Sequence, residues 1–193
     1  MKKLFLVAIA TVGFAFSGTA QDTKMKVGVD FGIPMGDIKD ATSFNLGVNG
    51  AYMWTGVAEG FDAGIGVSYN MYFGKEMDGI DIDPTTGMPI VVKEKAVNSS
   101  FLPIYGTVNY SFTENIFAGA DLGYALGLAP SGVDGGVYYQ PKVGYQTDKY
   151  EFFLGYKAIS SKQETTVNTP IGPITDSGTA VFASLNLGFN YKF

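Results

Sequence analysis

The end of the chain alternates. Val181, Ala183, Leu185, Leu187, Phe189, Tyr191 and Phe193 are apolar, and from Ser184 on the positions between them are Ser184, Asn186, Gly188, Asn190 and Lys192. A period of two puts one wholly apolar and one small or polar face on the same extended segment, so this is a strand. The same pattern predicts seven more. The eight segments are 24–33, 43–54, 61–73, 97–112, 116–128, 137–147, 150–160 and 181–193. No stretch beyond the N-terminal segment sustains a period near 3.6.

One face of each segment is apolar: Met25, Val27, Val29, Phe31 and Ile33 in the first, Phe61, Ile65, Val67, Tyr69 and Phe73 in the third. The opposite faces carry glycine, asparagine and serine together with the charges. Lys24, Lys26, Asp30, Asp62, Asp121, Lys142, Glu151, Lys157 and Lys192 all fall on the polar side by parity. Alternation alone suits a soluble sandwich, a lipocalin-like binder and a membrane barrel equally. Three features favour the barrel. The polar faces are rich in glycine and hold both charge signs, which suits a narrow lumen packed by side chains. Aromatics gather toward the ends of the apolar faces (Phe31, Phe44, Trp54, Phe61, Phe73, Phe112, Tyr124, Tyr145, Tyr150, Phe189 and Phe193), as in interfacial girdles. The connections alternate: 57–60, 113–115 and 148–149 are short, whereas 34–42, 74–96, 129–136 and 161–178 are long. The expected fold is an all-β, eight-stranded, antiparallel up-and-down transmembrane β-barrel with both termini on the periplasmic side.

Two details strain the pattern. Pro103 and Pro141 lie inside strands, and a bulge near each is the expected accommodation. Phe117, Phe153 and Phe182 point inward by parity, either capping the lumen or marking a local slip of one residue.

The N-terminus supports export. Lys2 and Lys3 precede an apolar run over 4–16, and Ser17-Gly18-Thr19-Ala20 supplies small residues before a cut after Ala20. Residues 1–20 therefore read as a cleaved signal peptide and 21–193 as one barrel domain. Removing Lys2 and Lys3 takes the formal charge from −5 to about −7, which argues against nucleic acid as a partner. The chain has no cysteine, so neither a lipoprotein anchor nor a disulfide is available.

Composition also limits the chemistry. With no histidine and no arginine, the usual outer-membrane protease, phospholipase and deacylase mechanisms lack their base or orienting group. Lys26, Asp30, Asp62, Asp121, Lys142, Glu151, Lys157 and Lys192 read as a lumen charge network, not as a catalytic set. No catalytic, cofactor-binding or metal residue is assigned. Glu76, Asp78, Asp81 and Asp83 lack the spacing of a calcium loop and read as a solvated acidic loop. The apolar run Met88-Pro89-Ile90-Val91-Val92 either extends a hairpin above the membrane or offers a partner-binding strand edge.

The last eight residues resemble the terminal assembly signal of bacterial outer-membrane proteins. Asn186 stands at its polar position, Gly188 at its glycine, and Tyr191 and Phe193 at the closing hydrophobic-aromatic pair. With the signal peptide and eight strands, the mature chain resembles small outer-membrane barrels of the OmpA/OmpX type. It looks most like the porin-family "outer membrane protein beta-barrel domain" proteins frequent in Bacteroidetes. The resemblance implies outer-membrane location, with outer-membrane lipid and the barrel assembly machinery as partners. The function expected is non-enzymatic: a filled barrel serving envelope integrity or surface interaction, with loops 74–96 and 161–178 meeting any surface ligand. The alternative is a narrow pore or conduit for small solutes. Deleting Phe193 should lower the amount of membrane-assembled protein sharply, read by fractionation and by the shift in gel mobility on boiling; unchanged assembly would remove the signal reading.

Overall fold

The computed structural model describes residues 23–82, 87–130, 133–169 and 172–193. The signal peptide expected over 1–20, and Asp83 of the acidic loop, lie outside the described residues. Among the described residues ten strands form: β1 (Thr23–Met35), β2 (Thr42–Ala58), β3 (Phe61–Gly74), β4 (Glu76–Ile82), β5 (Pro89–Lys95), β6 (Ser99–Ser111), β7 (Ile116–Ala129), β8 (Val133–Gln146), β9 (Tyr150–Thr169) and β10 (Gly172–Lys192). Eight of them close into a barrel in the order β1-β10-β9-β8-β7-β6-β3-β2, and β4 and β5 form a separate two-stranded ribbon. Every ladder is antiparallel. The up-and-down barrel expected from the alternation is the observed architecture.

Closure depends on the seam between the first and last strands. β1 and β10 pair from Lys26 opposite Lys192 to Met35 opposite Ala183 in one continuous register. The N–H of Phe193 adds one more bond, to the Met25 carbonyl at 2.9 Å. Both described ends of the chain thus lie at the same rim, here the terminal end, together with the three short turns. The opposite, loop end carries the ribbon, the 3₁₀ turn Gly36–Ile38, the end of β9 at Thr169 and the start of β10 at Gly172.

Side chains are sorted in the opposite sense to a water-soluble protein. Phe31 is 50% exposed, Leu122 61% and Leu187 67%, whereas Asp30 is 4%, Lys157 1% and Glu151 0% exposed. The outward faces of all eight barrel strands form one apolar surface, far larger than a soluble monomer leaves in water. Such a barrel is stable only with hydrocarbon around it, so this is a transmembrane β-barrel. Aromatic contacts mark both rims of the belt. At the loop end Phe44 stacks between Phe31 and Phe73, with centroids at 5.7 and 4.3 Å. At the terminal end Tyr191 lies between Tyr150 and Phe193, at 5.7 and 4.8 Å.

The structure departs from the sequence reading in three places. Of the two expected bulges, one is found near Pro103, where the β6–β7 register shifts between Ser100 and Phe101, and none near Pro141. Pro103 sits opposite Ala125 and Pro141 opposite Ala120 in unbroken register. On the other side of each proline the ladder opens for two residues and resumes in step, between Val67–Ile104 and Asn70–Phe101 and between Tyr139–Ala158 and Lys142–Gly155. On that side a missing N–H is thus absorbed by leaving out its partner. Second, the long connection 161–178 is not irregular: β9 and β10 remain paired from Tyr150–Tyr191 up to Thr169–Gly172. Its β-branched residues Thr165, Thr166, Val167, Ile174 and Thr175 favour extended backbone without any sustained alternation to announce it. Third, the acidic segment of loop 74–96 is not a plain loop: Glu76 and Asp78 lie in the β4–β5 ribbon, paired from Glu76–Lys95 to Ile82–Pro89, which is the extended hairpin offered as one reading of this loop.

The lipid-facing assignment has a direct energetic consequence. Leu187 lies between Phe31 on β1 and Leu154 on β9, away from both rims. Leu187→Lys should lower stability in bilayers by roughly 2–4 kcal/mol. The same change at Ile82 in the ribbon, 66% exposed, should stay within about 0.5 kcal/mol. Equal losses in a urea titration would contradict the belt.

Candidate functional site

The barrel interior is where the sequence places its charges, and the fold brings them together across it in layers. Nearest the terminal end, Lys26 on β1 is ion-paired with Glu151 on β9. Asn190 donates its side-chain amide to Glu151 Oε1 at 2.8 Å. Asn109 on β6, with its amide oxygen turned toward Lys26 Nζ at 2.9 Å, ties the pair to a third strand, three places from each. Beside this group Lys142 on β8 pairs with Asp121 on β7, at 2.7 and 3.0 Å to the two carboxylate oxygens. Its ammonium also lies 5.7 Å from the Phe153 ring centre, within cation–π range.

The middle layer centres on Lys157 of β9. Its ammonium is bonded to Asp30 Oδ1 on β1 at 2.5 Å and to Asn70 Oδ1 on β3. Strands β9 and β3 stand four places apart in a ring of eight, so this one side chain reaches the opposite wall. Asn186 on β10 donates to both Asp30 Oδ1 (2.5 Å) and Asn45 Oδ1 (2.6 Å), and Ser184 donates to Asn186 Oδ1 (2.6 Å). The pattern has a plain cause. A charge moved out of water must be met by an opposite charge and by hydrogen bonds. Short amides and hydroxyls supply those bonds in little space.

The third layer, toward the loop end, is aromatic. Tyr72, Phe101 and Phe182 meet edge to face, with centroids 4.8–6.0 Å apart. Phe101 on β6 and Phe182 on β10 also come from diametrically opposite strands. Tyr105 and Tyr138 pack beside them at 5.3 Å, and Ile38 of the 3₁₀ turn closes the cluster from the loop side. Tyr72, Phe101, Tyr105 and Tyr138 were assigned no role by the sequence reading. Parity was the available signal, since each lies in phase with the polar residues of its own strand.

Phe117, Phe153 and Phe182 do point inward, and each is nearly or wholly buried. Two of them explain glycines on the next strand. A Cβ on Gly188 would come within 2.1 Å of the Phe153 ring, and one on Gly144 within 2.7 Å of the Phe117 ring. Tyr105 covers Gly66 in the same way, at 2.5 Å. These inner glycines are therefore recesses that receive a ring, not spare width in a passage.

Two of the eight charged residues stand apart from the ion pairs. Asp62 forms no salt bridge; its Oδ1 accepts the Gly56 N–H at 2.9 Å, holding the irregular end of β2 where Gly56 has φ +67°. Lys192 reaches only the amide oxygen of Gln146, at 3.4 Å. Both line a cavity of about 240 Å³ at the terminal mouth, shared with Lys24, Lys26, Met53 and Gln146. Of the residues of the terminal motif, Asn186 is fully buried in the middle layer, Gly188 lies under Phe153, Tyr191 joins the terminal girdle, and Phe193 is 72% exposed at the rim. Among the described residues no group of carboxylates is arranged to hold a metal ion.

No protein-family model matches the chain, and no curated protein matches it. Several solved structures are similar to it. A de novo designed transmembrane β-barrel shares 11% identity at a TM-score of 0.45, over 88% of this chain and 95% of that one. The outer membrane protein AlkL, solved in lipid bilayers, shares 14% identity at 0.45, over 92% of each chain. The Yersinia pestis outer membrane protein Ail, solved in a phospholipid nanodisc, shares 11% identity at 0.44, over 90% of this chain and 99% of that one. The fold assignment rests on the strand order and register described above.

The ring-over-glycine contact beneath the terminal motif can be tested by exchange. Gly188→Ala should reduce the fraction of heat-modifiable, membrane-assembled protein, and adding Phe153→Ala should restore most of it. If the double variant is no better than Gly188→Ala alone, the glycine is not there to seat the ring.

Proposed function

We propose that this chain is a non-enzymatic integral protein of the outer membrane whose lumen is a packed interior and whose contacts with other molecules are made at the loop end. The observation that carries this reading is the bridging of the lumen at successive levels: Lys26 with Asn109 three strands away, and Lys157 with Asn70 and Phe101 with Phe182 from opposite walls. An eight-stranded barrel is only wide enough for its own side chains, and here they meet in the middle. A solute crossing it would have to part both a buried ion-pair layer and an aromatic layer.

The non-enzymatic reading is supported by the state of the lumen carboxylates. Asp30, Asp121 and Glu151 are each buried and engaged by a lysine, and Asp62, at the terminal mouth, is engaged by the Gly56 N–H. In this reading both termini face the periplasm, the terminal strand is recognised by the barrel assembly machinery, and outer-membrane lipid surrounds the belt. The loop end serves envelope integrity or surface interaction through 74–96 and 161–178. The ribbon supports that assignment, because Val91 on β5 stands 74% exposed and Met88, just before that strand, 66%.

Purified protein in planar bilayers should give no reproducible single-channel step under conditions where a porin of known conductance does. A stable unitary conductance that disappears with Lys157→Trp would establish the pore alternative and overturn the filled-lumen reading.

A further inference from the structure

We propose that Lys157 and Asn70 form a covalent cross-link across the lumen, an amide joining Lys157 Nζ to Asn70 Cγ, made by the folded chain itself with release of ammonia. The proposal is independent of the role assigned above and rests on three side chains. The ammonium of Lys157 contacts both Asn70 Oδ1 and Asp30 Oδ1. All three residues are sealed from solvent, at 1%, 0% and 4% exposure. Asn70 is held with its carbonyl toward the amine because its Nδ2 donates to Ser68 Oγ at 2.9 Å. An amine, a carboxamide and a carboxylate are thus fixed together in a space without bulk water to compete. Holding reactants in this way replaces a slow bimolecular encounter by a unimolecular one.

Asp30 supplies the proton transfers. The Lys157 ammonium already donates to Asp30 Oδ1 at 2.5 Å, and its proton passes to the carboxylate along that bond. That transfer removes two opposite charges from the interior and leaves a neutral amine with a free lone pair. The lone pair adds to Asn70 Cγ after a turn about the last lysine torsion. One proton passes through Asp30 to Nδ2, the Cγ–Nδ2 bond breaks, and ammonia leaves. The starting ammonium, carboxylate and carboxamide become a secondary amide, a neutral carboxylic acid and ammonia, with no change of oxidation state and no further reactant.

Placement gives the bond a use. The chain has no cysteine and so no disulfide. A link from β9 to β3 would tie two strands that stand opposite each other in the ring and share no backbone ladder. The neighbouring Lys26, Glu151 and Asn109 combine the same residue types, but Lys26 lines the cavity at the terminal mouth, where water can keep its charge. The reaction is therefore assigned to the middle layer.

The test is a tryptic digest of protein extracted from membranes in detergent and then denatured. Intact mass alone does not decide it, because a mature N-terminal Gln21 loses the same ammonia when it cyclises. The expected product is a branched peptide in which 40–75 is joined through Asn70 to 150–162 through an uncleaved Lys157. Finding only the free peptide 40–75 together with cleavage after Lys157 overturns the proposal. In Asp30→Asn the branched peptide should be lost while Lys157 and Asn70 remain, and its persistence would overturn the role given to Asp30. If that variant does not assemble, the digest of the native protein decides the proposal by itself.

Discussion

In hydrocarbon no water is available to a peptide group, and a backbone donor or acceptor left without a partner costs several kcal/mol. That constraint organises this chain. A sheet of eight strands can meet it only if the first strand bonds to the last, so everything depends on the seam between β1 and β10. The seam is completed at the terminal end by the residue that follows the last strand. Phe193 donates its N–H to the Met25 carbonyl, one bond beyond the paired register. Once the ring is closed the sorting of side chains follows. Apolar groups go outward because lipid is there, and polar groups go inward because the interior is the one place within the membrane where they can satisfy each other.

That interior faces the opposite problem, since charges gathered out of water are costly unless each is paired and hydrogen-bonded. Breaking such a pair by removing one partner typically costs about 3–5 kcal/mol. The chain meets the problem by using lysines long enough to cross the lumen and short amides to fill the remaining bonds. Lys157 alone connects β9, β1 and β3. Where aromatic rings enter, glycine on the neighbouring strand makes room, as Gly188 does for Phe153. Gly188 therefore serves two demands at one position. It belongs to the terminal motif on the sequence level, and on the packing level it lets the closing strand lie flat against its neighbour.

Much of this was legible in the sequence, because a strand has a period of two and both faces of a membrane barrel carry strong, opposite signals. The segments, their order and the inward parity of Asp30, Lys157 and Glu151 all follow from that. Partner choice does not. Lys26 and Glu151 are 125 residues apart, and whether they meet depends on the stagger of the closed sheet, a global quantity that no local pattern encodes. Asp62 shows the same limit: parity turns it inward, but its height in the barrel places it at the rim, where a backbone N–H claims it. The inward aromatics were missed for a different reason. Tyr72, Phe101, Tyr105 and Tyr138 read as belt residues by composition, and only their phase betrays them. The β9–β10 extension was hidden because its sequence shows no sustained alternation, so only its β-branched content hints at it.

The two ends of the barrel have been built under different rules, and this bears on where function can lie. At the terminal end the turns are short, the girdle is dense and the hydrogen bonds of Thr113 and Thr147 fasten the turns that follow them. Little there can vary without disturbing closure. At the loop end the strands run on past the belt, β9 and β10 reaching Thr169 and Gly172, and the β4–β5 ribbon is inserted between two neighbouring barrel strands without altering their register. The aromatic layer with Ile38 separates that end from the ionic layers below. A change in the ribbon or the β9–β10 extension is thereby insulated from the pairs that hold the barrel shut. Such insulation lets one part of a chain adapt to what it touches while the rest stays fixed by the membrane, and it is what a rigid scaffold contributes to exposed, variable loops.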